Sequence, residues 1–190
     1  MIKLDLKDRK LLYELDLNSR QSYHELAGKI GLSKDSVIYR IKRLQNEGVI
    51  KQFHTVIDVG KLGFISFRLY LKLENTTPEK EAEIIKFLVD KKIVAWVVSI
   101  EGNYDIGMWI LTKSIREMNE FWKGLLEKYV NHIEKRWLNI FIKVSYFPRN
   151  YLIGKEQNDK SYVFITQPSE NNLDEKYLAI LKLMAPDSRI

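Results

Sequence analysis

SYHELAGKIGLSKDSVIYRIKRLQNE, residues 22–47, is the stretch whose reading decides the rest of the chain. Ser22 and Glu25 stand at the S-x-x-E spacing of a capping box, in which each side chain satisfies an orphan backbone N–H of the other residue. Leu26, Ala27 and Ile30 follow at helical spacing. Gly31 is the stop, because glycine takes a positive φ without steric cost. Ser33 is placed to cap a second helix. There Val37, Ile41 and Leu44 fall on one side, Asp35, Ser36, Tyr39, Lys42 and Arg43 on the other, and Arg40 at the edge. An apolar side, a basic hydrogen-bonding side and a tight turn before them make a helix-turn-helix recognition helix. A charged face is also what any solvated helix carries, so the flanks must decide.

Upstream, LDLKDRKLLYELD at 4–16 reads as a first helix, capped by Asp5, with Leu11, Leu12 and Leu15 as the stripe that meets the hairpin. Downstream, Gly48 ends the recognition helix. Val49–Ile50 and Phe53–Ile57 then read as two short strands of a wing, with Lys51 set to touch a phosphate. From Lys34 to Lys51 five basic residues (Lys34, Arg40, Lys42, Arg43, Lys51) face two acidic ones, Asp35 and Glu47. Basic charge concentrated on one hairpin is the electrostatic footprint of a nucleic-acid partner.

Composition sets the outer bounds. The chain has 190 residues, 45% hydrophobic and 29% charged, which suits a folded protein of one or two domains. It has no cysteine, which excludes disulfides, thiolate catalysis and cysteine-based zinc sites. No apolar run approaches the roughly 20 residues of a membrane span, and MIKLDLKDRK lacks the apolar core of a secretory signal. A cytoplasmic protein with no membrane partner and no cofactor is expected. Its net charge of +6 permits polyanion binding.

From Ile65 the periodicity changes. ISFRLYLKLE alternates as a half-buried strand, with Ile65, Phe67, Leu69, Leu71 and Leu73 on one face. Thr77-Pro78-Glu79 opens a helix, with proline in the first turn where its missing N–H costs nothing. IVAWVVSI at 93–100 and DIGMWILT at 105–112 read as two more strands, joined by a turn at Gly102-Asn103-Tyr104-Asp105. Ser114-x-x-Glu117 is another capping box, opening a helix to about Val130. A long fourth strand is placed within Ile133–Phe147. The order β-α-β-β-α-β is the ferredoxin-like unit. Arg68, Tyr70, Trp96 or Trp109, depending on register, would lie on its uncovered face.

Taken together, LD at 4–5, Asp8, NSR at 18–20, ELA at 25–27, GLS at 31–33, RIKRL at 40–44, EGVI at 47–50 and LG at 62–63 resemble the DNA-binding domain of the Lrp/AsnC (leucine-responsive, feast/famine) transcription regulators. EGNYD at 101–105 is similar to that family's Gly-x-Tyr-Asp turn, which borders its effector site. The resemblance implies an α+β protein: an N-terminal winged helix-turn-helix over 1–63, followed by a ferredoxin-like βαββαβ domain over 64–147 that binds effectors and oligomerises. It implies double-stranded DNA as partner. The side-chain chemistry of the hairpin then assigns Lys34, Arg40, Lys42, Arg43 and Lys51 to phosphates, and Asp35, Ser36 and Tyr39, with Arg43, to base edges in the major groove. A small-molecule effector such as an amino acid is expected at Gly102, Asn103, Tyr104 and Asp105. A homodimer is expected, with tetramers or octamers as assemblies of dimers.

Residues 148–172 depart from the family pattern. They are read as an extra hairpin built from YLI and YVFIT, followed by a linker at 167–172. At 173–190, LDEKYLAILKLMAPDSRI aligns without gaps on 4–21 at a constant offset of 169 residues. Leu, Asp and Lys match at the start, Leu12 with Leu181, and Ser-Arg at the end. This reads as the start of a second winged helix, truncated. Leu173, Tyr177, Ile180, Leu181 and Met184 then form an apolar stripe with no domain of its own, expected to dock opportunistically or to fray.

Two other function classes stay open on sequence. One is an enzyme, since ferredoxin-like folds host enzymes. Yet His24, His54 and His132 are scattered, and no phosphate loop, G-x-S-x-G or H-E-x-x-H occurs. The other is a small-molecule- or RNA-binding sheet, for which Tyr70, Trp96, Trp109 and Trp137 offer stacking surfaces, without an RNP-type sequence.

Overall fold

Local capping closes the first three helices. The computed structural model describes residues 3–154, 162–165, 168 and 174–185, the last strand by its backbone. These fall into two units, one within Met1–Ile57, Ser145–Val163 and Leu173–Ile190, the other within Asp58–Val144 and Phe164–Asn172.

In the first unit α1 spans Leu6–Leu17, α2 Tyr23–Ile30 and α3 Lys34–Asn46. Asp5 and Asp8 form a capping box on α1, Ser22 and Glu25 one on α2, and Ser33 caps α3. Gly31 has φ 66, which turns the chain between α2 and α3. The Lys7 ammonium donates to the carbonyls of Ile30 and Gly31 at the end of α2, where the helix dipole favours a cation. Leu11, Leu15, Leu26, Ala27, Ile30, Val37, Ile41, Leu44 and Ile50 form the core, with Leu12 packed at its side.

Two expected features of this unit are not formed. Residues 51–58 run without a ladder, so the wing has no strands. The reason is visible at Val49 and Ile50: both backbone N–H groups donate to the Leu44 carbonyl, closing the end of α3 rather than pairing with a neighbour. YLI is not a strand either. Asn150–Ile153 is a 3-10 helix, entered by the Asn150 N–H on the Pro148 carbonyl and ended at Gly154, φ 65. A further helix, α6, spans Glu175–Met184 and is capped by Asp174.

The second unit holds β1 (Ile65–Leu73), α4 (Pro78–Val89), β2 (Val94–Ser99), β3 (Ile106–Thr112), α5 (Ile115–Tyr129) and β4 (Ile133–Ile140). The antiparallel sheet is ordered β2-β3-β1-β4, the ferredoxin-like arrangement. Phe67, Leu69, Leu71 and Leu73 alternate into a core with Ile106, Met108 and Ile110, covered by Ile84 and Leu88 of α4 and Met118, Phe121, Leu125 and Tyr129 of α5.

The long fourth strand is broken. β4 pairs with β1 from Leu73 to Phe67, and the Phe141 N–H on the Ser66 carbonyl is its last bond before β1 itself begins. The chain resumes as β5, Lys143–Tyr146, which pairs with β6, Tyr162–Ile165. These two strands form a separate two-stranded sheet, and YLI takes no part in it. The linker expected at 167–172 lies outside the described residues except at Pro168.

Candidate nucleic-acid interface and effector turn

Burial divides the expected α3 contacts into two groups. Asp35, Tyr39 and Lys42 recur at i, i+4 and i+7 on the side opposite Val37, Ile41 and Leu44, and all are exposed, Tyr39 by 66%. Asn46, which sequence reading passed over, continues the same line one turn on; its spacing from Lys42 was the available signal. Lys34 is exposed at the helix start, and Lys51 is exposed beyond its end. Ser36 sits in the cap, its Oγ 2.8 Å from Ser33 Oγ.

Arg40 and Arg43 turn the other way. Arg40 Nη1 donates to Asp8 Oδ1 at 2.7 Å and Asp5 Oδ2 at 2.8 Å, and Arg43 Nη2 donates to Asp8 Oδ2 at 2.6 Å. Asp8 is 1% exposed. One buried carboxylate thus takes a guanidinium on each oxygen, and Asp8 also receives the Asp5 backbone N–H through its capping box. The Asp8 backbone N–H, then the Arg40 side chain, hold the Asp5 carboxyl below the usual carboxylate range. Asp5 in turn raises the Arg40 guanidinium above its ordinary value. The two arginines clamp α3 to α1, and the clamp leaves the Asp35–Tyr39–Lys42–Asn46 line facing solvent.

In the second unit Gly102 has φ 128, and a Cβ there would meet nothing within 4 Å, so the backbone angle alone calls for glycine. Asn103 is exposed. The Tyr104 ring lies 5.7 Å from Tyr70 and 6.2 Å from Trp137, centroid to centroid. Asp105 accepts from Lys72 Nζ at 2.8 Å and from the Leu73 N–H at 2.7 Å, and its own N–H donates to the Leu71 carbonyl. Burial pushes the Asp105 carboxyl up, but Lys72 and the Leu73 N–H outweigh it, so its pKa lies below the ordinary value. The turn is therefore tied to β1 by its acid, while Asn103 faces solvent.

Register settles which residues share the uncovered sheet face. Arg68 lies opposite Trp109, Trp96 opposite Trp109, and Tyr70 opposite Trp137. The Arg68 guanidinium stands over Trp96 at 4.1 Å and Phe141 at 5.2 Å, and Trp109 Nε1 donates to Ser66 Oγ. Trp137 is 55% exposed.

Residues 4–51 match a family model described as winged helix-turn-helix DNA-binding. An HTH-type transcriptional regulator of Pyrococcus furiosus is 31% identical over 144 residues, spanning 75% of this chain and 94% of the relative. The solved structure of LrpC from Bacillus subtilis is 26% identical with a TM-score of 0.58, covering 74% of this chain and 95% of that one. A transcriptional regulator of Neisseria meningitidis, solved as its L-Met complex, shares the fold at 18% identity and a TM-score of 0.60, covering 73% and 90%.

Proposed function

The chain belongs to the Lrp/AsnC family of HTH-type transcriptional regulators, and from that premise we propose how it reads DNA. The observation that carries the reading is the Asp8 clamp. With Arg40 and Arg43 drawn onto α1, the face presented to a major groove is Asp35, Tyr39, Lys42 and Asn46. Asp35, Ser36 and Tyr39 are proposed to meet base edges, where an α-helix fits the groove. Lys34, Lys42 and Lys51 are proposed to neutralise phosphates, which supplies affinity without sequence information. Arg40 and Arg43 act from behind, by setting the helix. Residues 1–63 are thus the DNA-binding part, and 64–147 the oligomerisation and effector part.

A single small module binds weakly. The uncovered sheet face carries the half-buried Tyr70, Trp96 and Trp109 and the exposed Trp137, and an aromatic face of this kind is proposed to be buried against a second copy. We assign a homodimer to it, with pairing of dimers into larger assemblies. Two recognition helices then address half-sites about one DNA turn apart, roughly 34–36 Å, so the operator is near-palindromic. A monomeric mass by light scattering at micromolar concentration would refute the dimer. The Neisseria regulator's L-Met complex and the Gly102–Asp105 turn together support a small effector such as an amino acid at that turn. Such a ligand acts only if it prefers one arrangement of the assembly. The Pyrococcus relative is named an HTH-type transcriptional regulator, and we propose that this chain acts as a regulator and not as an enzyme. Among the described residues no helix is long and apolar enough to cross a membrane; a cytoplasmic site of action is proposed from the DNA partner.

The test begins with duplexes selected from a random pool, followed by binding across a salt series. Lys42→Ala should lower the slope of log K against log salt by about 0.9 with stability unchanged. Unchanged slopes for Lys34→Ala, Lys42→Ala and Lys51→Ala would refute the reading. Preference for single-stranded RNA over duplex DNA at matched salt would favour the sheet as the binding surface instead.

A further inference from the structure

The seam between α4 and α5 closes at one end and stays open at the other. At the closed end Glu83 of α4 accepts from Tyr129 Oη at 3.0 Å and pairs with Lys128 Nζ at 3.4 Å, both of α5, and with Lys80 of its own helix at 2.5 Å. At the open end there is a groove of about 290 Å³, lined by Phe87, Lys91, Lys92 and Ile93 on one side and Glu117, Glu120, Phe121 and Gly124 on the other. Opposite charges border this groove, yet no ion pair joins them among the described residues, in contrast to the closed end. Lys91 Nζ instead rests 4.3 Å over the Phe87 ring. Glu117 has a task already, accepting the Lys113 N–H at the start of α5. Glu120 lies one turn further along and is exposed.

Gly124 points the same way. It sits inside α5, where glycine costs about 1 kcal/mol relative to alanine. Its φ is not in the left-handed region, and a Cβ there would meet nothing within 4 Å. Neither backbone angle nor close packing calls for glycine, and what the missing side chain leaves is room in the groove.

We propose that the open end of the seam binds a small zwitterion with an apolar side chain. Its carboxylate meets Lys91 and Lys92, its ammonium meets Glu120, and its side chain lies on Phe87 and Phe121 over Gly124. The volume falls just below that of drug-sized ligand sites, roughly 300–1,000 Å³, which suits a smaller metabolite. The site is separate from the Gly102–Asp105 turn and does not depend on it.

The test is amide-shift mapping on the ¹⁵N-labelled full chain, titrated with L-phenylalanine, L-leucine and L-methionine, and with phenylacetate and phenethylamine as singly charged controls. Saturable shifts are expected at Ile93, Gly124 and their neighbours with at least one of the three zwitterions. The controls should bind at least about tenfold more weakly. Gly124→Leu, which fills the groove and improves helix propensity, should abolish these shifts in a folded spectrum. Glu120→Lys, at an exposed position, should weaken them at least about tenfold. Lack of saturable shifts at these amides with all three zwitterions overturns the proposal. So does an equal response to the controls, or persistence of the shifts in both variants. Shifts confined to Gly102–Asp105 that survive Gly124→Leu overturn the groove while leaving the effector turn standing; groove shifts without turn shifts do the reverse.

Discussion

α1 and α6 are one sequence pattern in two environments. Asp5 caps α1 by accepting the Asp8 N–H at 2.7 Å, and Asp174, 169 positions on, caps α6 by accepting the Tyr177 N–H at 2.8 Å. The helices themselves are local products of the same cues. Their apolar stripes part company. Leu11 is fully buried, while its counterpart Ile180 is 50% exposed, and Tyr177, which stands where Asp8 does, is 60% exposed. α6 is held by Thr55 Oγ1 on the Met184 carbonyl and by Arg20 against Met184 Sδ. A pattern therefore specifies a helix and its cap, but burial needs a hairpin to receive it. In α1 the receiving contact includes an acid that α6 lacks.

The sharpest test of that difference is Asp8. Asp8→Ala leaves Arg40 and Arg43 without their shared carboxylate and removes half of a capping box, a combined cost of about 4 kcal/mol. Tyr177→Ala, at the matching position, should change stability by less than about 0.5 kcal/mol. Urea midpoints of the full chain decide this. A cost below about 1 kcal/mol for Asp8→Ala would break the comparison, because the arginines would then be stable without α1 and free to serve DNA directly.

Next in size is the stripe. Leu11→Ala removes a side chain with no room to relax, at about 3 kcal/mol, whereas Ile180→Ala removes one already half in water, at about 0.5 kcal/mol. Equal costs in the same urea series would mean that α6 is as well packed as α1.

What was legible in the sequence follows the reach of each interaction. Capping boxes at Ser22–Glu25 and Asp5–Asp8 span three residues and can be read directly, as can the alternation of β1. The clamp cannot: Asp8 meets Arg40 and Arg43 across 32 and 35 residues, and an arginine on a helix edge looks the same whether it faces a phosphate or an acid from another helix. The wing strands do not form because β-branched Val49 and Ile50 spend their N–H groups on Leu44, a choice made by the α3 terminus rather than by strand propensity. YLI forms no strand because the turn at Pro148–Asn150 outweighs three strand-prone side chains. At the effector turn, Gly102 was legible from turn chemistry, whereas the tie from Asp105 to Lys72 and Leu73 depends on strand register.

The smallest expected effect lies in the caps, where the two helices are most alike. Asp5→Ala should cost about 1 kcal/mol, since the cap is coupled to a packed helix. Part of that cost depends on pH. The Asp8 N–H and Arg40 lower the folded-state pKa of Asp5 below 3.8, so its contribution is fully present above the unfolded value and is lost as pH falls through the folded one. The gap between wild type and Asp5→Ala should therefore be flat from neutral pH to about 5 and narrow below it. Asp174→Ala removes the same kind of bond from a helix whose side chains are mostly exposed, so the loss should stay local. Amide exchange at Tyr177 and Leu178 should speed up while the global urea midpoint stays put. A midpoint that shifts for Asp174→Ala as far as for Asp5→Ala would show that α6 unfolds together with the core of α1, α2 and α3. The exposed face of α6 would then be one side of a helix that the domain needs.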